Sequence, residues 1–274
     1  MKERLDPGFG FSQSSLAVFD ECRRRFFLRY VQGLVWPAAV TGELAGQEEA
    51  IRRGQRFHQL IQQDALGLEV DHLVAEEDDP DLQRWWRNYR QQGPAGVPSG
   101  RIFSEVQLSV PLGAYRLVAR FDRVVLGADG TVWILDWKTG KRRPEAEAYA
   151  ASWQTRVYCY VLVEAGGVLV EGRAIAAEQV RLLYWHAEFP GLLKPQIYSP
   201  QAHVAAAGQL ARAVEGITGL AGEGGFPQTE AVARCGRCQY RGLCQRGRRA
   251  DDDWDIDFLA DDDLGWDLIP EADL

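Results

Sequence analysis

Apolar residues recur at close to helical spacing through Leu16, Phe19, Phe26, Phe27 and Tyr30, which predicts an N-terminal helix capped by Ser14 or Ser15 and ended by Gly33. Cys22 falls within that helix. Further helices are expected over 47–66 and 81–89, ahead of the breaker-rich stretch 91–100. The period then changes. Residues 102–110, 114–126 and 131–137 are β-rich runs separated by Pro111-Leu112-Gly113 and Ala128-Asp129-Gly130, which reads as a three-stranded antiparallel meander. A helix over 147–164, a strand over 180–185 and a helix over 202–220 follow, and the stretch from Cys235 to Cys244 is short, polar and irregular. The expected fold is α/β: a β-β-β-α-β core wrapped by helices. The expected division is a helical region 1–100, a core 101–200, a C-terminal helix and cysteine region 201–250 and a tail 251–274.

Composition sets the class without changing that picture. A chain of 274 residues with 46% hydrophobic and 26% charged positions fits one large domain, or one domain with helical additions. No run approaches the roughly 18 apolar residues of a membrane span, and the start has no signal-peptide core, so a soluble, cytoplasmic protein away from membranes is expected. Charge does change the picture. The net charge of −8 comes from 39 acids against 31 bases. Residues 251–274 hold eleven of those acids and no base, so 28 acids and 31 bases, or +3, remain before them. The acidity is a property of the tail, and the rest of the chain is compatible with nucleic acid.

The candidate chemistry lies where the second and third strands end. Asp122 closes Val118-Ala-Arg-Phe-Asp122, and the third strand runs Trp133-Ile-Leu-Asp136-Trp137-Lys138-Thr139-Gly140. Asp136 and Lys138 are two apart and share one strand face. Carboxylates are hard ligands for Mg²⁺ or Mn²⁺, and a neighbouring lysine can orient water and offset phosphate charge, which suits phosphodiester hydrolysis. The pair alone reads equally well as a salt bridge at a strand end. His58 lies upstream on a predicted helix, and Gln154 and Tyr158, four apart on the helix after the third strand, share a face. There is no phosphate-binding loop, so ATP-driven chemistry is not expected.

In that order, Gly54-x-x-x-His58, Glu105 in the first strand, Phe121-Asp122-Arg123, Asp136-Trp137-Lys138-Thr139-Gly140 and Gln154-x-x-x-Tyr158 resemble the RecB-like branch of the PD-(D/E)XK nuclease superfamily. The resemblance spans residues 11–244. It implies a restriction-endonuclease-like core. It also implies a metal (Mg²⁺ or Mn²⁺) held by His58, Asp122, Asp136 and the carbonyl of Trp137, with Lys138 as the catalytic lysine. Gln154 and Tyr158 would support that lysine and contact nucleic acid, and Glu105 would be an additional acid. The chain departs from the family at Ala119, where a glycine is usual three residues before the aspartate.

Cys235-x-x-Cys238-x₅-Cys244 and the distant Cys22 supply four thiolates, enough for an iron–sulfur cluster or a structural zinc. The chain is similar in order and spacing to the iron–sulfur members of this family, among them the CRISPR adaptation nuclease and the AddAB-type nuclease. That likeness implies a [4Fe–4S] cluster stapling the first helix to the end of the fold. Cys159 reads as a buried core residue. Basic runs at 23–25, 141–143 and 246–249 are candidate phosphate contacts, and Trp85 and Trp86 are candidate stacking residues that a helix would more readily pack inward. The expected function is a metal-dependent DNA nuclease acting on single strands or ends, in repair, recombination or CRISPR adaptation. The alternative is a DNA-binding subunit with little activity alone, working with a helicase or integrase. The tail, with Trp254, Phe258, Trp266 and Ile269 among aspartates, is expected to be disordered or to dock on a protein partner.

Overall fold

The computed structural model describes residues 2–34, 42–143 and 145–246; the acidic tail, Arg248 and Arg249 lie outside the described residues. The predicted meander is present. Strands β2 (Gly100–Leu112), β3 (Tyr115–Gly127) and β4 (Val132–Lys138) follow a short β1 (Gly10–Phe11), and β2–β3 and β3–β4 pair antiparallel. β5 (Val180–His186) lies parallel to β4 and carries a short antiparallel β6 (Gln196–Ile197). β1 and β6, two residues each, carry too little pattern to be read from sequence. β4 and β5 lie side by side with nearly every residue buried, which is why they read as continuous apolar runs.

Helices cover both faces of this sheet. They are α1 (Gln13–Glu21), α2 (Arg23–Phe26), α3 (Gly42–Ala65), α4 (Asp71–Ala75), α5 (Pro80–Gln92), α6 (Ala146–Ala150), α7 (Trp153–Ala165), α8 (Pro200–Thr218) and α9 (Gly222–Gly225). One apolar cluster joins Phe26, Phe121, Ile134, Val157 and Leu210. A second, on the other face, joins Phe57, Leu60 and Trp85 to Trp133, Trp137 and Trp185. Trp85 and Trp86, 2% and 5% exposed, belong to this core and do not face solvent as base-stacking residues would.

Two helices predicted as continuous are broken, the first at the extended backbone of Cys22 and the second at a serine cap. The first is capped by Ser12, which exchanges hydrogen bonds with Ser15, and it stops at Cys22, whose backbone is extended before α2 and a π-helical turn over Phe27–Val31. The second stops after Ala150, and Ser152 restarts it as α7 by accepting from the Thr155 N–H at 3.1 Å. Both breaks turn chemistry-bearing side chains, Cys22 in one case and Gln154 in the other, out of the register that one straight helix would impose.

The strands contain a matching irregularity. Along β3, Leu117, Ala119 and Phe121 alternate into the first apolar cluster, yet Val124 lies there too and Val125 belongs to the other face. On β2, Val110 and the partly buried Val106 and Leu108 join that cluster, and so does Phe103. Both strands change phase at one place without changing register, since Ser104 still faces Arg123 and Val106 still faces Phe121. The pair at the phase change is Glu105 opposite Asp122, where the regular pairing lapses and Glu105 takes a left-handed backbone with φ 55°. A non-glycine residue there costs about 1–3 kcal/mol.

Candidate active site

α3 brings His58 to the sheet because Phe57, Leu60 and Ile61 are fully buried beside it. Gly54 is what permits the approach: a Cβ there would stand 3.1 Å from Thr139 Oγ1, just beyond Lys138. The imidazole then spans two elements. Its Nε2 is 3.0 Å from the carbonyl of Trp137, and its Nδ1 is 3.4 Å from Asp122 Oδ1. The other Asp122 oxygen accepts the Trp137 N–H at 2.9 Å. The β3–β4 ladder ends at Arg123–Leu135, so this side-chain bond bridges the fork where the two strands part. Burial pushes the Asp122 carboxyl up, but His58, the Trp137 N–H and Lys138 together hold it below the usual carboxylate range.

Glu105 completes the cluster. Ligand atoms of His58, Glu105 and Asp122 all lie within 4.8 Å of one another. Burial and then the Asp122 charge push the Glu105 carboxyl up, while Arg120 acts against them. Asp136 stands differently. It is 2% exposed, its Oδ2 is 3.0 Å from Lys138 Nζ, and its Oδ1 accepts from Gln154 Nε2 at 2.7 Å. The structure therefore gathers His58, Asp122, the Trp137 carbonyl and Glu105 at one point, with the buried Asp136 and Lys138 and the half-buried Gln154 as an adjoining set. Tyr158 is also buried, its ring 5.1 Å from Phe121.

Sequence reasoning missed Tyr184. It faces Asp136 across the parallel β4–β5 pair, its ring lies 5.7 Å below Lys138 Nζ, and its hydroxyl shares a 2.8 Å hydrogen bond with Thr155. Burial, and then Asp136, push its phenol upward, so it stays neutral beneath the ion pair. Only a known β4–β5 register would have flagged it. Some members of the basic runs are tied into the fold: Lys141 pairs with Asp81 at 3.1 Å, Arg24 with Glu223, and Arg25 with Glu21 at 3.2 Å.

A second constellation lies at the other end of α1. Cys22, Cys235, Cys238 and Cys244 line one cavity together with Arg25, Tyr240, Arg241 and Arg246. Hydrogen bonds hold the distant segments there: Arg24 N–H to the Pro227 carbonyl at 3.1 Å, and Tyr240 hydroxyl to the Leu34 carbonyl at 2.6 Å. Burial first, and the neighbouring thiols after it, push the Cys238 and Cys244 thiols up, while nearby arginines pull them down. Cys159 is buried in the core and apart from this cavity, and burial pushes its thiol up to about 12.

The model of a known family matches residues 10–245, nearly all of the described chain. The chain belongs to the PD-(D/E)XK nuclease superfamily. Two solved structures are similar in outline. One is a protein from Eubacterium rectale described as a candidate exonuclease, with 14% identity, 90% of this chain and 91% of that one covered, and a TM-score of 0.42. The other, SSO0001, shares 14% identity over 88% and 87% of the two chains with a TM-score of 0.37. At those scores the argument rests on the family match alone. No curated protein matches significantly. Among the described residues no helix is long and apolar enough to cross a membrane.

Proposed function

We propose that this PD-(D/E)XK nuclease is a Mg²⁺- or Mn²⁺-dependent deoxyribonuclease of exonuclease type, acting on single-stranded DNA or DNA ends. The observation that carries the reading is the meeting of His58, Glu105 and Asp122 within 4.8 Å, beside the buried Asp136–Lys138 pair. One imidazole with carboxylate and carbonyl oxygens is a donor set suited to a hard divalent ion. His58, Asp122 and the Trp137 carbonyl would hold it, with Glu105 or Asp136 as the further acid. Such an ion supplies Lewis acidity and a nucleophilic water near neutral pH. Lys138, fixed by Asp136 and set over Tyr184, presents its ammonium to the phosphate or the attacking water. Gln154 holds Asp136 from the opposite side. Cleavage of labelled single-stranded and duplex DNA with Mn²⁺, Mg²⁺ or EDTA tests this. Asp122→Asn and Lys138→Gln should each lower cleavage per folded molecule by at least about a hundredfold, with the melting temperature kept close to wild type in Asp122→Asn and lowered in Lys138→Gln, which leaves the buried Asp136 carboxylate without its cation. Near-wild-type cleavage in either would sink the assignment, and no cleavage by the wild type would leave a DNA-binding subunit that needs a partner.

The four cysteines are read as ligands of a [4Fe–4S] cluster, which would place the protein among iron–sulfur nucleases of repair, recombination or CRISPR adaptation. Four thiols on one cavity support this. The same four thiolates could instead hold a structural zinc. Iron and sulfide analysis of anaerobically purified protein distinguishes the two metals.

A further inference from the structure

Arg120 sits at the phase change of the meander, two residues before Asp122, and pairs across the ladder with Gln107, two residues after Glu105. Its guanidinium holds Glu105 side-on, Nε at 2.9 Å and Nη2 at 2.8 Å from the same oxygen, Oε2. The Glu105 side chain is 19% exposed and that of Arg120 36%, so Arg120 is the more solvent-accessible of the pair. The same carboxylate reaches within 4.8 Å of the His58 and Asp122 ligand atoms. Glu105 therefore lies between Arg120 and the His58–Asp122 pair, on a backbone that is left-handed at this residue.

We infer that Arg120 is a displaceable counter-ion: Glu105 surrenders it when a divalent ion binds, and the freed guanidinium takes a phosphate oxygen of the DNA strand. This rests on the metal-dependent reading above. A doubly charged ion on Glu105 draws off the electron density that Arg120 accepts and repels the guanidinium. The planar fork of arginine matches a phosphate as well as it matches a carboxylate, so DNA supplies a replacement partner on the exposed side. Metal and DNA binding become coupled through one side chain.

A static role, in which Arg120 merely holds Glu105 ready for the ion, gives the opposite sign in one measurement. Mn²⁺ affinity of DNA-free protein, read by electron paramagnetic resonance of the free ion, should tighten about threefold to tenfold in Arg120→Gln, because a competitor is removed. Single-stranded DNA affinity in Ca²⁺ should weaken about tenfold, with the salt slope smaller by about 1, and should change little in EDTA. In a Glu105→Gln background the Arg120→Gln effect on Mn²⁺ should largely vanish. Weaker Mn²⁺ binding in Arg120→Gln, or an equal loss of DNA affinity with and without Ca²⁺, overturns the exchange. Wild-type protein that binds no Mn²⁺ overturns the metal reading and this inference with it.

Discussion

Glu105 shows how a site residue can burden the fold that carries it. Burial and the charge of Asp122 raise its pKa, so between its unfolded and folded values the native state binds more protons than the unfolded state. Its contribution to stability is present at low pH and is lost as pH rises through the folded value. Glu105→Gln should therefore raise the melting temperature in EDTA near pH 7 by roughly 2 °C, with the gain fading as pH falls toward 4. A variant no more stable than wild type at pH 7 would show that Arg120 already neutralises the acid. Lys138 is the reverse case. At 4% exposure and paired with Asp136, it cannot be cut back to alanine without leaving a buried carboxylate alone, so the isosteric variants are the informative ones.

α3 acts as a lever for His58, and its fulcrum is Gly54. The helix lies close enough to Thr139 that an added Cβ already demands a shift of a few tenths of an ångström, and a branched side chain demands more. Gly54→Val should keep the helical content by circular dichroism yet weaken Mn²⁺ binding about tenfold, because His58 is carried away from Asp122 and the Trp137 carbonyl. Unchanged Mn²⁺ affinity would mean that α3 does not set the ligand geometry. α7 is the matching lever on the other face. Ser152 fixes where it starts, which decides that Gln154 meets Asp136 and Thr155 meets Tyr184.

The chain is closed on itself by the junction of Cys22 with the segment that carries Cys244, more than two hundred residues away, where Phe226 packs among Phe19, Phe26 and Phe27 and Tyr240 is buried. Stability of that junction should depend on whatever the four thiolates bind. Cys22→Ser should abolish an absorbance near about 400 nm and lower the melting temperature by roughly 10 °C, with DNA cleavage per folded molecule largely kept. A stable, colourless variant of a colourless wild type would return the cysteines to the role of ordinary buried thiols.

Much was legible from local pattern. The meander, α3, α5, α8 and the strand β5 follow from apolar period and turn residues, and the order of His58, Asp122, Asp136 and Lys138 resembles that of one nuclease family. Ser12 caps the first helix where Ser14 or Ser15 was expected, Ser152 is the cap that marks the second break, and the break at Cys22 carries no side-chain cap that a local pattern could reveal. The rest depends on contacts that no local window holds. Tyr184 reaches Lys138 only through the β4–β5 register, and Glu105 joins His58 only because two paired strands change phase together. Composition and periodicity act over a few residues and fix which elements form. The cluster of His58, Glu105 and Asp122 is set where three of them converge, and that was decided by long-range packing.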